Sequence, residues 1–523
     1  AGAASMALRR WFTERYLSAD PRALGLGRIA LALTLLLDLA RRARGLEAWY
    51  SNDGLLPNHT LLWRPPFEYT FSLFFAASRT SEAVFGFVLC AIAYVMLLFG
   101  VRTRFAQVAS LVAVLSLHGR TLFVQNGGDA VLGELALWSC FLPTGRRYSI
   151  DALRAARDRA EGAEGLPDPE APVVSLAVLA ILAQLATIYF FNAVQKTGST
   201  WRAGTVVHYM LHQDCNDTWL AVWLRPHFTL GMSRVLTWTA WGTEAALPLL
   251  LLSPFAQLTT RRAAVLLIVM LHGGFALFLN LGIFVPAMIA FTPNLLAARD
   301  LDALGRLPAL RRLSARLAEH PFLQRDIAWL VERATPAPAA PPASFFGMTL
   351  ADFRESLVAA LLVCASSQAL VENATTTHFK PEWQPRFLRA TATYLQAFQG
   401  WSMYAPDPPF GDMNLYVDAV TKDGRHVDPW NAAASPGNRR TGAEIKPHLR
   451  QDVMYFAYAL RVPWTAHYWT AFQDWILRYP QRTKRRNDEI VRFEAFMIEH
   501  DSPPPGEQGS RNTRRTSLFK FPP

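Results

Sequence analysis

PVVSLAVLAILAQLATIYFFNAVQ, residues 172–195, is the stretch of this sequence that decides its fold class. It contains no charged side chain. A transmembrane helix needs about 20 mainly apolar residues, so this segment is predicted to span a membrane. Comparable windows occur at roughly 24–40, 84–100, 105–124, 129–143, 233–254, 262–279, 281–296 and, more weakly, 353–371. The sequence therefore predicts a mainly α, polytopic helical membrane bundle with seven to nine spans.

The composition agrees with a membrane protein. Of 523 residues, 51% are hydrophobic and 18% are charged, whereas soluble proteins carry about 25% charged residues. These values exclude a disordered chain and argue against a soluble one. The formal net charge is +11, but no basic module with interleaved aromatic residues is visible. The expected partner is therefore the lipid bilayer, and nucleic acid is not expected to bind.

Arginine supplies most of the positive charge and indicates the orientation. The 52 basic residues comprise 46 arginines and 6 lysines. Arginine and lysine are enriched in cytoplasmic loops, and with nine spans the arginines collect on the side of the N-terminus. We therefore expect a cytoplasmic N-terminus. The loops at 45–83, 120–128 and 196–232, and the region after residue 373, are expected to face outward.

Changes in composition divide the chain into five parts. A stretch rich in proline and alanine at 335–344 is typical of a linker. The predicted parts are a cytoplasmic segment with a tag remnant at 1–19, the transmembrane bundle at 20–297, a cytoplasmic Arg-rich and Pro/Ala linker at 298–350, the last span at 351–373 and an extracytoplasmic α+β domain at 374–523.

The last part contains patterns of both strands and helices. Met413–Val420 is strand-like, and Lys422-Asp423-Gly424-Arg425 after it suits the turn of a hairpin. Residues 452–475 predict one amphipathic, aromatic-rich helix or a pair of helices. The proline-rich, charged end after about residue 501 is expected to be loose.

Arg28 and Asp38 are ionisable residues inside the first predicted span. Such residues are costly in a membrane and need partners. They lie ten positions apart, or roughly 15 Å along a helix, which is too far for a mutual pair. We expect each to be a structural residue with a partner on another helix.

Two further polar features interrupt the apolar windows. His272 lies in the seventh window, where a buried histidine is more often a hydrogen-bonded packing residue than a catalyst. The sequence Asn126-Gly127-Gly128-Asp129 separates two windows and by itself predicts a tight turn with a capping side chain. No histidine–glutamate pair has the helical spacing of a metal site, so no metal is predicted.

Lys196 is the only lysine that precedes Lys380 in the sequence. It lies at the outer end of the span 172–195, five residues before Trp201. One interpretation is a lysine that extends to the membrane interface beside a tryptophan of the aromatic belt. The other is a functional base, because the pKa of a lysine falls readily on burial. The residues alone leave both interpretations open.

Several motifs together resemble one family, the horizontally transferred transmembrane (HTTM) domain proteins, which include the vitamin K-dependent γ-glutamyl carboxylase. The resemblance covers most of residues 20–475. The motifs are Arg28 with Asp38, Asn126-Gly127-Gly128-Asp129 with Phe141-Leu142-Pro143-Thr144-Gly145, Val194-Gln195-Lys196 with Trp201 and Gly204, His272 with Gly282 and Phe284, and, in the last part of the chain, Trp401-Ser402-Met403-Tyr404-Ala405-Pro406 with Thr421-Lys422-Asp423-Gly424-Arg425.

The resemblance implies a carboxylase of the lyase class in a bacterial inner membrane. Its cofactor would be reduced vitamin K or another membrane quinol, with O2 and CO2 as cosubstrates, and a secreted or membrane-proximal peptide would carry the glutamate. Lys196 matches the base that deprotonates the quinol. The resemblance further implies a substrate site formed by Asn126, Asp129, His272, Trp201 and Gln195.

The sequence differs from the carboxylase at a residue pair that supports the reaction. The carboxylase has an Asn-His pair where this chain has Asn126-Gly127, and its catalytic lysine follows a second lysine rather than Gln195. The alternative is therefore a non-catalytic HTTM protein, a maturation, immunity or export partner of a secreted peptide. A transporter is a third class, although no internal repeat of the kind common in transporters is visible.

Overall fold

A computed structural model describes most of the chain. The α-helices and strands of the fold are those of the described residues. The described residues are 2–63, 68–214, 216–319, 344–345, 348–376, 378, 381–434, 452–507, 509 and 511–522. Of the Pro/Ala-rich stretch at 335–344, only Ser344 is among the described residues.

The architecture is mainly helical, as predicted. The α-helices are α1 Gly2–Phe12, α2 Pro21–Ala43, α3 Leu46–Tyr50, α4 Asn58–Trp63, α5 Thr80–Phe99, α6 Thr103–Arg120, α7 Gly127–Ser139, α8 Ile150–Ala160, α9 Leu176–Val194, α10 Ser199–Ala203, α11 Val206–Met210, α12 Trp219–Leu224, α13 Leu230–Leu252, α14 Gln257–Phe278, α15 Phe284–Ala290, α16 Ala298–Gly305, α17 Pro308–Glu319, α18 Leu350–Glu372, α19 Arg386–Tyr394, α20 Pro429–Ala434, α21 Val453–Arg461, α22 Trp469–Leu477 and α23 Tyr479–Thr483.

Six helices among the described residues are long and apolar enough to cross a membrane, namely α2, α5, α9, α13, α14 and α18. The other three predicted windows contain α6, α7 and α15. Helix α7 has 13 residues, or about 20 Å of rise, which is less than the roughly 30 Å of a hydrocarbon core. The protein is thus a polytopic helical membrane protein, and the total of seven to nine spans stays a prediction.

Helix α9 is the central helix of the bundle. In its most apolar window 72% of residues are buried inside the protein, against 22% in α13 and 17% in α14. It packs on α13, α18 and α7. Because α13 and α14 expose most of their apolar surface, they form the lipid-facing side of the bundle next to the end of α9.

The two ends of α9 are fixed by local contacts. Ser175 caps its start and accepts a hydrogen bond from the backbone N–H of Ala177 at 3.1 Å. Beyond its end, the N–H of Gly198 donates to the carbonyl of Pro406 at 3.0 Å. A Cβ at Gly198 would lie 2.1 Å from the side chain of Asp407, so glycine permits this close approach. The turn that carries Lys196 is therefore held against the segment around residue 406.

The strands are short near the bundle and long in the C-terminal region. They are β1 Ser18–Ala19, β2 Val173–Val174, β3 Ser344–Phe345, β4 Met348–Thr349, β5 Gly411–Thr421, β6 His426–Val427, β7 Ile490–Asp501 and β8 Arg511–Phe521. The last four form an antiparallel sheet in the order β6-β5-β7-β8. The predicted strand and hairpin are confirmed by β5 and β6, in which Ala419 pairs with Val427.

The prediction of a loose end after residue 501 is wrong for residues 511–521. They form strand β8, which pairs with β7 and places Phe521 opposite Phe493. The ring of Phe519 contacts that of Trp469 at 5.5 Å between centroids, and Arg515 pairs with Glu494 at 2.8 Å. The charged residues face outward while the phenylalanines pack inward, so a high charge did not prevent strand formation.

Helix α21 joins the C-terminal sheet to the membrane bundle. It contacts both β5 and the turn before α7. At its end the guanidinium of Arg461 donates to the carbonyls of Phe123 at 3.1 Å and Gln125 at 3.0 Å. The C-terminal region therefore lies at the end of the bundle where α9 ends and α7 begins.

Arg28 and Asp38 lie in different buried surroundings. Arg28 donates to the carbonyl of Leu98 at 2.6 Å and also bonds the carbonyl of Leu97. It thereby satisfies carbonyls at the end of α5 that have no helical partner. Asp38 pairs with Arg41 at 2.8 Å and Arg42 at 2.7 Å. Those two arginines lie on its own helix, and its Oδ2 also lies 3.2 Å from Nε2 of His118 on α6, so Asp38 has the expected partner on another helix as well.

Candidate functional site

A cavity of about 340 Å³ lies where α9, α13 and α14 meet the C-terminal region. Apolar side chains form much of its wall, and polar groups from several elements converge on it. Helix α21 and the segment around residue 404 close the side away from the bundle. The polar lining residues are Gln125, Asn126, Tyr189, Asn192, Lys196, Asn216, Glu244, His272, Asn280 and Arg461.

Lys196 and Glu244 form a buried ion pair on the wall of this cavity. Their residues are 5% and 6% exposed. Lys196 follows the end of α9, whereas Glu244 lies within α13, so the pair joins two packed helices. Burial lowers the pKa of Lys196, and the carboxylate of Glu244 opposes this shift. An amine of this kind can exchange a proton with a neighbouring group.

Trp201 holds the amine from a second side. The Nζ atom of Lys196 lies 4.5 Å from the centre of the Trp201 ring, a distance at which a cation is attracted to an aromatic face. The indole N–H of Trp201 donates to the carbonyl of Tyr404 at 2.9 Å. Trp201 is therefore a fixed part of the cavity wall, with only 4% exposure, rather than an exposed belt residue.

His272 and Tyr189 form a second polar pair in the cavity. The hydroxyl of Tyr189 on α9 lies 2.8 Å from Nε2 of His272 on α14. The other ring nitrogen of His272, Nδ1, is buried without a described hydrogen-bond partner. A buried polar atom without a partner is costly, so this nitrogen is available to a bound molecule.

Asn126 caps helix α7 and also lines the cavity. Its Oδ1 accepts from the N–H of Gly128 at 2.9 Å, and its own N–H donates to Asp129 at 3.2 Å. This confirms the predicted tight turn, with Asn126 as the capping residue. Its Nδ2 is buried without a described partner. A Cβ at Gly128 would lie 2.5 Å from the backbone nitrogen of Phe284, so the turn needs glycine there.

The structure brings together four of the six residues predicted for the site. Lys196, Trp201, His272 and Asn126 line the cavity, whereas Asp129 and Gln195 are not among its described lining residues. Asp129 lies behind it and accepts from Arg42 at 2.6 Å. Gln195 donates to Asn373 at 2.9 Å and to the carbonyl of Trp401 at 2.8 Å. Through these bonds Asp129 and Gln195 hold neighbouring segments together rather than face the cavity.

Sequence reasoning did not assign Glu244, Tyr189 or Arg461 to the site. Glu244 is an acid inside an apolar window and needs a partner, and Lys196 is the only lysine before Lys380. These two observations could have suggested that the residues pair. Tyr189 lies seven residues before Lys196, two helical turns on the same face. Arg461 lies on α21, far from Lys196 along the chain, and no local pattern connects the two.

An apolar groove adjoins the cavity on the lipid side. Its volume is about 290 Å³, and it shares Val207, Met210, Ala240 and Phe275 with the cavity. The groove runs between α13 and α14, where the side chain of Met270 is 63% exposed. A molecule in the cavity can therefore extend an apolar part toward the lipid-facing surface.

Two groups of side chains among the described residues have the geometry to hold a metal ion. They are Asp38 with His118 and Asp129, and Asp214 with Asp412 and His500. In the first group, Arg41 and Arg42 pair with the two carboxylates. The prediction of no metal considered spacing along single helices, and both groups combine residues from separate segments.

Comparison with known proteins identifies the family. The comparison with curated proteins found no match, and the comparison with solved structures found none either. The model of the HTTM domain matches residues 16–299, which is more than half of the chain and includes α2 to α15. This range contains Asn126, Lys196, Glu244 and His272 of the cavity. The chain therefore belongs to the HTTM-domain family.

Proposed function

We propose that the protein is a vitamin K-dependent γ-carboxylase-like membrane enzyme in the bacterial inner membrane. In this proposal Lys196 is the base that deprotonates a membrane quinol, and quinol epoxidation is coupled to carboxylation of a peptide glutamate. The observation that carries the proposal is the buried Lys196–Glu244 pair on the wall of a cavity. Buried ionisable groups in a membrane protein are costly, and on the wall of a cavity they are candidates for a functional site.

The shape and lining of the cavity suit a quinol. A volume of about 340 Å³ falls in the range of roughly 300–1,000 Å³ of small-molecule sites. Its walls are mainly apolar, and a few polar groups are available to fix the position of a hydroxylated ring. The apolar groove between α13 and α14 would accept a lipid tail. Together with O2 and CO2, a bound quinol would supply the strong base and the carboxyl carbon of the reaction.

Lys196 and Glu244 would act as one proton-accepting unit. The uncharged amine of Lys196 accepts the proton, and the Lys196–Glu244 pair thereby gains the positive charge of an ammonium group. That charge would lie beside the quinol oxygen and would stabilise its anion. Trp201 would keep the amine in place through its ring face.

His272, Tyr189 and Asn126 would orient the substrate. His272 Nδ1 and Asn126 Nδ2 are buried polar atoms without described partners, so hydrogen bonds to a ligand would satisfy them. The carboxylase has a histidine directly after the asparagine, and this chain has Gly127 there. His272 from α14 supplies an imidazole to the same cavity, and we assign it the supporting role.

Arg461 would favour an acidic substrate on the opposite wall. It belongs to α21, so it enters the cavity from the C-terminal region rather than from the membrane bundle. Its guanidinium is held by the carbonyls of Phe123 and Gln125. A positive charge at this position would attract the carboxylate of a peptide glutamate.

The test is a turnover experiment with the purified full chain in detergent. The protein is supplied with reduced vitamin K, O2, 14C-bicarbonate and a glutamate-containing peptide. The proposal predicts quinol epoxide and quinol-dependent 14C in the peptide, both lost in Lys196→Ala and kept in Lys422→Ala, the change of an exposed lysine. Epoxide without 14C would overturn the carboxylation step. Absence of both products would overturn the proposal in favour of a non-catalytic partner of a secreted peptide.

A further inference from the structure

A second buried polar cluster lies between the segment that follows Lys196 and the C-terminal sheet. It contains Asp214 and Asp217 from the connection between α11 and α12, and Asp412 and His500 from the sheet. Strands β5 and β7 pair Asp412 directly with His500. The side chains of Asp412 and Asp217 are 1% and 0% exposed, and that of His500 is 10% exposed.

The donor atoms of this cluster converge. One ligand atom each from Asp214, Asp412 and His500 lies within 4.8 Å of the other two. The N–H of Asp214 donates to Asp412 at 2.7 Å, which holds the connection against β5. Nε2 of His500 lies 3.9 Å from the Asp412 carboxylate. Three such groups from three separate segments of the chain can point at one small ion.

Asp217 provides a separate indication of a ligand. One guanidinium, that of Arg225, contacts both Asp214 and Asp217, so these two carboxylates lie side by side. The second oxygen of Asp217, Oδ1, is buried and has no described hydrogen-bond partner. A buried carboxylate oxygen normally accepts hydrogen bonds or binds a metal ion.

We call Asp214, Asp217, Asp412 and His500 the outer cluster, and Asp38, Asp129 and His118 the inner group. The two differ in their balance of charges. Asp38 and Asp129 contact two guanidinium groups, those of Arg41 and Arg42, so two negative charges meet two positive charges. The outer cluster has three carboxylates and one guanidinium, that of Arg225, which contacts Asp214 and Asp217. A cation would add positive charge to the outer cluster, whereas the inner group is already balanced.

We propose that Asp214, Asp412 and His500, supported by Asp217, bind one divalent transition-metal ion. Carboxylate oxygens suit Mn²⁺, and an imidazole nitrogen suits Zn²⁺, so these two ions fit the mixed donor set better than Ca²⁺ or Mg²⁺. The ion fastens the connection between α11 and α12 to the sheet. Asn216 lies between Asp214 and Asp217 and lines the cavity, so the ion also fixes part of the cavity wall.

Metal binding by the purified full chain tests this proposal. The affinity tag is removed, the protein is treated with a chelator, and it is then equilibrated with Zn²⁺ or Mn²⁺ in excess. Bound metal is counted by elemental mass spectrometry, and thermal unfolding is recorded with and without the ion. We expect one ion per chain and a higher unfolding temperature with the ion, because the ion binds the folded state.

Matched variants locate the ion. The double variant Asp412→Asn with His500→Ala is expected to bind the ion at least about tenfold more weakly. The control is Asp418→Asn with His426→Ala, which removes another aspartate–histidine contact from the same sheet, 2.7 Å long and more exposed. The control is expected to bind like the wild type. Equal binding by both double variants would overturn the assignment.

Two further measurements keep the test independent of folding defects. Asp217→Asn alters one carboxylate of the supporting group and is expected to weaken binding without loss of the folded state on size-exclusion chromatography. Wild-type protein that takes up neither ion at a 1:1 ratio would overturn the proposal without any variant. His118→Ala tests the inner group, and loss of the ion in that variant alone would place the ion there instead.

Discussion

The ammonium group of Lys196 pairs with the carboxylate of Glu244, 48 residues further along the chain, inside the membrane protein. Lys196 follows the central helix α9, and Glu244 belongs to the more lipid-exposed helix α13. The pair thus lies where a buried wall meets a wall that borders the bilayer. In the proposed function, a lipid-soluble quinol would reach Lys196 from the membrane along this wall.

Glu244→Gln tests whether the pair acts as one unit. The change removes the carboxylate that opposes the lowering of the Lys196 pKa, so the amine of Lys196 becomes a weaker base. We expect quinol turnover to fall about 10²-fold and its pH dependence to move toward lower pH. The measurement is epoxide formation as a function of pH.

Glu134→Gln is the matched control for Glu244→Gln. Glu134 is also a buried acid of the bundle, but it accepts from Gln399 at 2.6 Å and is not among the described cavity-lining residues. We expect near wild-type turnover. Equal loss in both variants would show a general effect of buried acids and contradict a special role for Glu244.

The pH dependence of turnover should follow the titration of Lys196. Burial lowers its pKa below the ordinary lysine value, and the uncharged amine accepts the proton. Turnover should therefore rise with pH through the lowered pKa and level off above it. Lys196 has its ordinary pKa in the unfolded chain and a lower pKa in the folded protein, so the unfolded chain binds the proton more tightly. At pH values below the folded pKa, Lys196 therefore makes folding less favourable. Stability should increase with pH between the folded and unfolded values. Turnover that falls over the same range would contradict this assignment.

His272→Ala and Tyr189→Phe test substrate orientation. Each removes one partner of the 2.8 Å contact between the Tyr189 hydroxyl and His272. We expect the KM for the quinol to rise about tenfold, which corresponds to about 1.4 kcal/mol of lost hydrogen bonding, with a smaller change in kcat. His227→Ala, which changes an exposed histidine between α12 and α13, should leave both constants unchanged. A loss of kcat with unchanged KM would instead indicate a direct role in proton transfer.

Arg42→Met tests whether the ion pairs of the inner group, Asp38 with Asp129 and His118, stabilise the fold. Arg42 is 1% exposed and donates to Asp38 at 2.7 Å and to Asp129 at 2.6 Å. Its removal leaves two buried carboxylates short of positive charge, which costs about 3–5 kcal/mol. We expect a clearly lower thermal unfolding temperature in detergent. Arg44→Met, a change of an exposed arginine in the same turn, is the control and should unfold like the wild type.

The sequence predicted the features that depend on local pattern. The window 172–195 corresponds to α9 at Leu176–Val194, because length and apolar composition alone specify a spanning helix. The strand at Met413–Val420 lies within β5 for a similar reason. The scarcity of lysine before Lys380 marked Lys196 as a residue of interest, and the structure places it on the cavity wall.

The features that sequence reasoning missed depend on contacts between distant segments. Lys196 pairs with Glu244 because α9 packs on α13. Arg461 reaches the cavity because α21 packs against the end of the membrane bundle. Strand β8 was missed because its exposed face is charged, although Phe519 and Phe521 pack on aromatic residues of α22 and β7. Asp129 and Gln195 were assigned to the site by the motifs that contain them, but their hydrogen bonds hold neighbouring segments instead.

The most direct test of Lys196 as the base is the rate of quinol epoxidation by Lys196→Arg. Arginine keeps the positive charge and the contact with Glu244, but it does not act as a proton acceptor near neutral pH. We expect a folded protein, shown by unchanged size-exclusion behaviour, with turnover reduced by about 10²- to 10⁴-fold. Lys196→Ala should show an equal or greater loss. Wild-type turnover in Lys196→Arg would contradict the assignment of Lys196 as the base.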